Sequence, residues 1–183
     1  MRYMFAGLIF LGLASCGGPG MDKPEPIVLT EAQQAHIQQR LAIYKEVELT
    51  ADISHLEAPY QKMLPSLMEA AAIMDTLFWL QAYGEPHLLL DRISDSAAKR
   101  FTQINYGPWD RLDNNKPFLP GFGEKPAGAN LYPQDVSEEA FESWPDSSKN
   151  SLYTLVRYSS EHTLMAVPYA EAFQKELGRA AAL

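Results

Sequence analysis

The residues able to do chemistry in this chain are few and scattered. The histidines His36, His55, His87 and His162 stand far apart. None forms the H-E-x-x-H pair that sets two metal ligands on one helical face. Asp52 with His55, and Glu85 with His87, are spacings that arise often by chance. His55 reads as decoration of a helix N-terminus and His162 as part of a turn. No G-x-S-x-G elbow, phosphate loop or G-x-G-x-x-G fingerprint occurs. Asp110, Asp113, Asn114 and Asn115 gather oxygen donors, but without EF-hand spacing or its glycine. They read as a turn capped by Asp and Asn side chains. The sequence therefore yields no catalytic residue and no metal ligand.

What remains is the stretch 103–135, with four of the 11 glycines, five of the 13 prolines, and Tyr106, Trp109, Phe118, Phe122 and Tyr132. Backbone that cannot stay helical, yet carries spaced aromatics, predicts an ordered loop pinned into a surface or cleft. Tyr106, Trp109, Asp110 and Arg111 are the substrate-cleft candidates, because flat apolar faces beside a guanidinium fork suit peptides or sugars. The competing reading has Tyr106 and Trp109 plugging a helical core, with Arg111 paired to Asp113 or Asp75.

The elements around this loop read as mainly α with one small β-hairpin. Thr30 and Gln33 form a capping box, and Ile37, Leu41 and Tyr44 follow on one face, predicting a helix over 31–47. Ser54 to Glu57 repeats the box and predicts a short helix to Met63. Pro65 suits the first turn of another helix over 65–83. That second helix is apolar on nearly all sides, so it is expected to be buried, with Asp75 needing a partner inside it. Ser94 or Asp95 caps a helix to Ile104, and Ser137 opens a short acidic one. Residues 152–158 and 163–167 predict a hairpin, and Pro168 opens a last helix that runs to Leu183 without a stop signal, as if cut mid-element.

Composition sets the compartment. Residues 1–15 read as a lipoprotein signal peptide: Arg2, a short apolar run, then Leu-Ala-Ser before Cys16. Cleavage there implies lipidation of Cys16, and 16–29 becomes a lipidated tether to a region spanning 30–183. A net charge of -8 argues against nucleic acid. Gly17 and Gly18, with no Asp after Cys16, favour the outer membrane of the bacterial envelope, facing the periplasm or the exterior.

Several segments together resemble bacterial members of the dipeptidyl peptidase III family. They are 47–56 (VELTADISHL), 71–75 (AAIMD), 78–83 (FWLQAY), 104–112 (INYGPWDRL), 117–118 (PF), 125–130 (KPAGAN), 132–133 (YP) and 167–169 (VPY). The resemblance covers about residues 40–175. It implies a two-lobed, mostly helical zinc exopeptidase that removes dipeptides from peptide N-termini. This chain would be the incomplete N-terminal part. The family's zinc sits on an H-E-x-x-G-H motif and a Glu of a second helix. Neither is present here, so the motif is expected beyond Leu183 and the chain alone is expected to be inactive. The alternative is a non-catalytic outer-membrane lipoprotein that binds peptides or glycans.

Overall fold

The computed structural model describes residues 25–183. The leader, Cys16 and most of the expected tether lie outside the described residues. Ile27 is buried and forms a parallel bridge with Ile93, so the folded unit begins before Thr30.

The chain is mainly helical, with two small antiparallel hairpins. Helix α1 (Glu31–Leu41) starts at the expected capping box: Thr30 Oγ1 accepts the Gln33 N–H and Gln33 Oε1 accepts the Thr30 N–H. It stops six residues before the expected 47. Tyr44 nevertheless reaches the core edge-on against Phe101, which explains why its spacing looked helical. Residues 45–52 have no regular structure.

Helix α2 (Ala58–Ala82) corrects two expectations. There is no break at Pro65; one 25-residue helix runs through it, with Pro59 in the first turn and Glu57 as N-cap. Pro65 removes a single backbone donor, which a long helix tolerates at a cost of about 3 kcal/mol. Nor is the helix buried. Ile73, Leu77 and Trp79 are covered, whereas Tyr60, Met63, Leu67, Met74 and Phe78 are exposed. Their spacing of three, four and seven residues places them on one stripe. By length and mean hydropathy α2 matches a membrane span. Lys62, Glu69 and Asp75 lie along it, however, and such residues are costly in lipid.

After α3 (Pro86–Leu90), helix α4 (Ser96–Asn105) is capped by Asp95, whose Oδ1 accepts the Ala98 N–H. A first hairpin, β1 (Trp109–Asp110) with β2 (Lys116–Pro117), follows and pairs Trp109 with Pro117. One core joins α1, α3, α4 and this hairpin through Ile37, Leu89, Ile93, Phe101, Phe118 and Leu119.

Helix α5 (Glu138–Ser143) is capped by Ser137 as expected. The expected hairpin is β3 (Thr154–Tyr158) with β4 (Leu164–Pro168). The last helical region bends at Phe173 into α6 (Tyr169–Ala172) and α7 (Gln174–Ala181). A second core of Leu77, Leu155 and Phe173 joins α2 to β3 and this region. Helix α2 thus packs on the C-terminal half through Leu77 and on the residues after α4 through Phe78, Trp79 and Tyr83, and leaves the side carrying Tyr60, Met63, Leu67 and Met74 bare.

Candidate functional site

Helix α4 ends where the aromatic loop begins, and the turn is built from unusual backbone. Tyr106 takes a left-handed conformation, φ 52°, as C-cap, and its N–H bonds to the Gln103 and Thr102 carbonyls. That geometry is costly for a side chain as large as tyrosine. Packing offsets it: the Tyr106 ring meets Phe78 at 4.6 Å and Trp79 at 5.3 Å, and its hydroxyl donates to Asp75 on α2. Gly107 follows at φ 147°, and a Cβ there would stand 3.2 Å from the Trp109 ring. Glycine suits the dihedral, and the nearby ring leaves a Cβ little room.

Asn105, which sequence reasoning passed over, holds the turn together. It is 3% exposed, donates Nδ2–H to the Phe101 carbonyl, and accepts the Arg111 N–H at Oδ1. The Arg111 Nε–H then returns to the Asn105 carbonyl at 2.9 Å. An Asn at a helix end is an ordinary capping residue, so nothing in its sequence context separated this one.

The four cleft candidates divide between interior and surface. Trp109 is buried and donates its indole N–H to the Gly123 carbonyl at 2.9 Å, with Tyr83 and Phe122 around it. Asp110 is 3% exposed, forms an ion pair with Arg40 of α1 at 2.6 Å, and accepts the Leu112 N–H. These two residues hold the hairpin onto the helices. Tyr106 and Arg111 instead face outward. Arg111 pairs with neither Asp113 nor Asp75: Lys116 takes the first at 3.0 Å, and the Tyr106 hydroxyl takes the second. Its guanidinium lies over the Phe78 ring at 5.2 Å and the Tyr106 ring at 5.4 Å, in cation–π range. Asp75, expected in the interior, is exposed. Its carboxylate raises the Tyr106 pKa above the usual phenol value, first through the hydrogen bond and then with help from burial.

Two shallow clefts flank these residues. One, of about 590 Å³, runs between α2 and α4 past Asp75, Trp79, Gln103 and Tyr106. The other, of about 420 Å³, is lined by Phe78, Gln81, Arg111, Asn115, Lys125 and Leu131 among others. The segment 125–130 that walls the second is bolted to α2. The Asn130 N–H bonds to the Gln81 carbonyl, and Asn130 Nδ2 donates to the Leu80 carbonyl at 2.7 Å. Arg157 of β3 donates to the Asn130 and Leu131 carbonyls. The loop is ordered, as expected, and burial lowers the Arg157 pKa.

Among the described residues the arrangement offers cations and aromatic faces but no complete catalytic set. His36, His55 and His162 are exposed. His162 stacks on Tyr158 in the β3–β4 turn, and His87 stands 3.6 Å from Glu85. Among the described residues no three of His, Cys, Asp and Glu gather as a metal site. No set of side chains among the described residues fits zinc. Asp113, Asn114 and Asn115 form the tip of the first hairpin, with both asparagines in the left-handed region.

No family model matches the chain. A dipeptidyl-peptidase III from Corallococcus sp. strain EGB has a solved structure that superposes with a TM-score of 0.70 at 34% identity. The match covers 80% of this chain and 30% of that one. Nudix hydrolase 3 of Arabidopsis thaliana is 27% identical over 192 residues, or 82% of this chain and 25% of that protein. The solved structure carries the family name that the quoted segments resemble; the Arabidopsis protein carries a different one. This chain spans a third or less of either.

Proposed function

We propose that this chain is the N-terminal portion of a zinc-dependent exopeptidase of the dipeptidyl peptidase III type, supplying scaffold and one wall of the peptide cleft. The observation that carries the reading is the structural likeness at 34% identity over 80% of the chain. The bare stripe on α2 supports it: Tyr60, Met63, Leu67 and Met74 form an apolar surface of the kind that another part of a larger protein covers. In this reading the zinc ligands lie outside the 183 residues, and the chain alone releases no dipeptides. Residues 1–15 are a lipoprotein leader, Cys16 carries the lipid, and the domain sits in the bacterial envelope.

The decisive test is the reading frame after the Leu183 codon. An in-frame H-E-x-x-G-H motif is expected. A stop codon followed by unrelated sequence overturns the reading. The second reading, a non-catalytic peptide- or glycan-binding lipoprotein, draws on the outward-facing Phe78, Tyr106 and Arg111. It requires that the 183-residue chain unfold cooperatively and stay monomeric.

A further inference from the structure

The second cleft brings two cations together without an acid. Arg111 and Lys125 both line it, and among the described residues neither has a carboxylate within ion-pair distance. The Arg111 Nε–H is committed to the Asn105 carbonyl, which fixes the plane of the guanidinium. No hydrogen-bond partner is found for its two Nη nitrogens among the described residues. Among the described residues Lys125 is steadied only by the Asn115 side-chain oxygen at 3.3 Å. Burial, and then the Arg111 charge, lower the proton affinity of its ammonium, so the two cations sense each other. This happens in a chain of net charge -8, where carboxylates outnumber cations and could have neutralised the pair. A pre-oriented guanidinium beside an ammonium is a receptor for a planar oxyanion.

The remaining walls indicate which anion. Phe78 and Leu131 offer apolar surface directly beside the cations, and Gln81 and Asn115 offer amides. A free inorganic anion would leave the apolar walls bare. A carboxylate attached to an apolar residue and an adjoining peptide bond would use all of them. We infer that the cleft between α2 and the 125–130 segment binds the C-terminal carboxylate of a short peptide. Arg111 and Lys125 hold the carboxylate, and Phe78 and Leu131 receive the last side chain. This deepens the peptide-cleft reading and rests on it for the choice of peptide over other carboxylates.

The test is calorimetric titration of the full chain, kept in mild detergent, with Ala-Ala-Phe-Leu as the free acid and as the C-terminal amide. The free acid is expected to bind about tenfold more tightly than the amide, the size of one charge-assisted contact. Arg111→Gln and Lys125→Gln should each bring the two peptides to within about twofold, while Lys125→Arg should retain the preference. Because Arg111 also braces the α4 turn, Lys125→Gln is the primary variant; the lysine makes no such contact. Equal binding of acid and amide by the native chain overturns the inference, as does an unchanged preference in Lys125→Gln. Displacement of the acid by inorganic phosphate at equal concentration overturns the peptide assignment. Failure of this experiment and failure of the enzyme reading separate cleanly. The zinc motif can be found downstream while the cleft ignores carboxylates, and the reverse can also occur.

Discussion

Asp110 carries an interior charge that ties two distant parts of the chain together, since its partner Arg40 lies 70 residues earlier. Asp110→Asn should lower the urea midpoint of unfolding clearly more than Asp113→Asn, because Asp113 pairs only with an exposed lysine. Equal shifts would show that the ion pair is solvated and contributes little. Tyr106 offers a second check, in pH. Its phenol pKa is raised in the fold, so the Tyr106–Asp75 contact is fully present below the unfolded value of 10.0 and is lost as pH climbs through the higher folded value. The 295 nm titration difference between the native chain and Tyr106→Phe should therefore have its midpoint above pH 10. At this scale the sequence showed which residues stand out but not which way they point. Trp109 and Arg111 are two positions apart and read as one aromatic-cationic patch. The β1 strand buries the first, while the turn that follows carries the second to the surface. The Arg40–Asp110 pair has no periodic trace and could not be seen without the fold.

Among the elements, most of those with local signals were legible; the Ser54–Glu57 box was not, since α2 begins at Ala58 with Glu57 as an N-cap that makes no side-chain bond. Thr30, Asp95 and Ser137 each cap the helix that their side chains announced, and β3–β4 lies where a segment rich in β-branched and aromatic residues and the polar turn after it put it. Where one signal had two meanings the reading failed. Pro65 marks a first turn or a tolerated interior position, and the continuous apolar pattern on both sides decided for the latter. The loop between β2 and α5 supplies a prediction of its own. Gly128 sits at φ 75°, and a Cβ there would lie 2.4 Å from the Tyr132 ring. Gly128→Ala should cost about 1–3 kcal/mol in urea unfolding, from both the dihedral and the clash. At the hairpin tip, Asn114 has φ 51° with no side-chain bond that would compensate a branched residue. Asn114→Val should destabilise by about 1–2 kcal/mol and Asn114→Gly by a few tenths at most. If valine is tolerated, the left-handed tip is not rigid.

At the scale of the molecule, the feature that matters is the uncovered half of α2. Periodicity reports that a helix is apolar on many sides, but not whether those sides have neighbours. The expectation of burial therefore failed for a reason that bears on function. A stripe of four large apolar side chains, Tyr60, Met63, Leu67 and Met74, should make the isolated chain self-associate and bind a hydrophobic dye. Leu67→Glu with Met74→Glu should reduce the sedimenting mass toward the monomer while leaving the unfolding free energy within about 0.5 kcal/mol, as for exposed sites. A monomeric native chain would mean that the stripe is tolerated bare. A different consequence follows from the irregular segment after α1, where Val47 and Leu49 are exposed at 70% and 92%. A protease meets open backbone there. Yet Ile27, Ile37 and Tyr44 on its upstream side are set into the core around Phe101. A nick near residue 48 would leave two pieces still clasped together, and α1 would become a detachable part. Supplied as a separate peptide, residues 25–45 should re-seat on a chain that lacks them, so that folding of this core could be switched by adding or withdrawing one short segment.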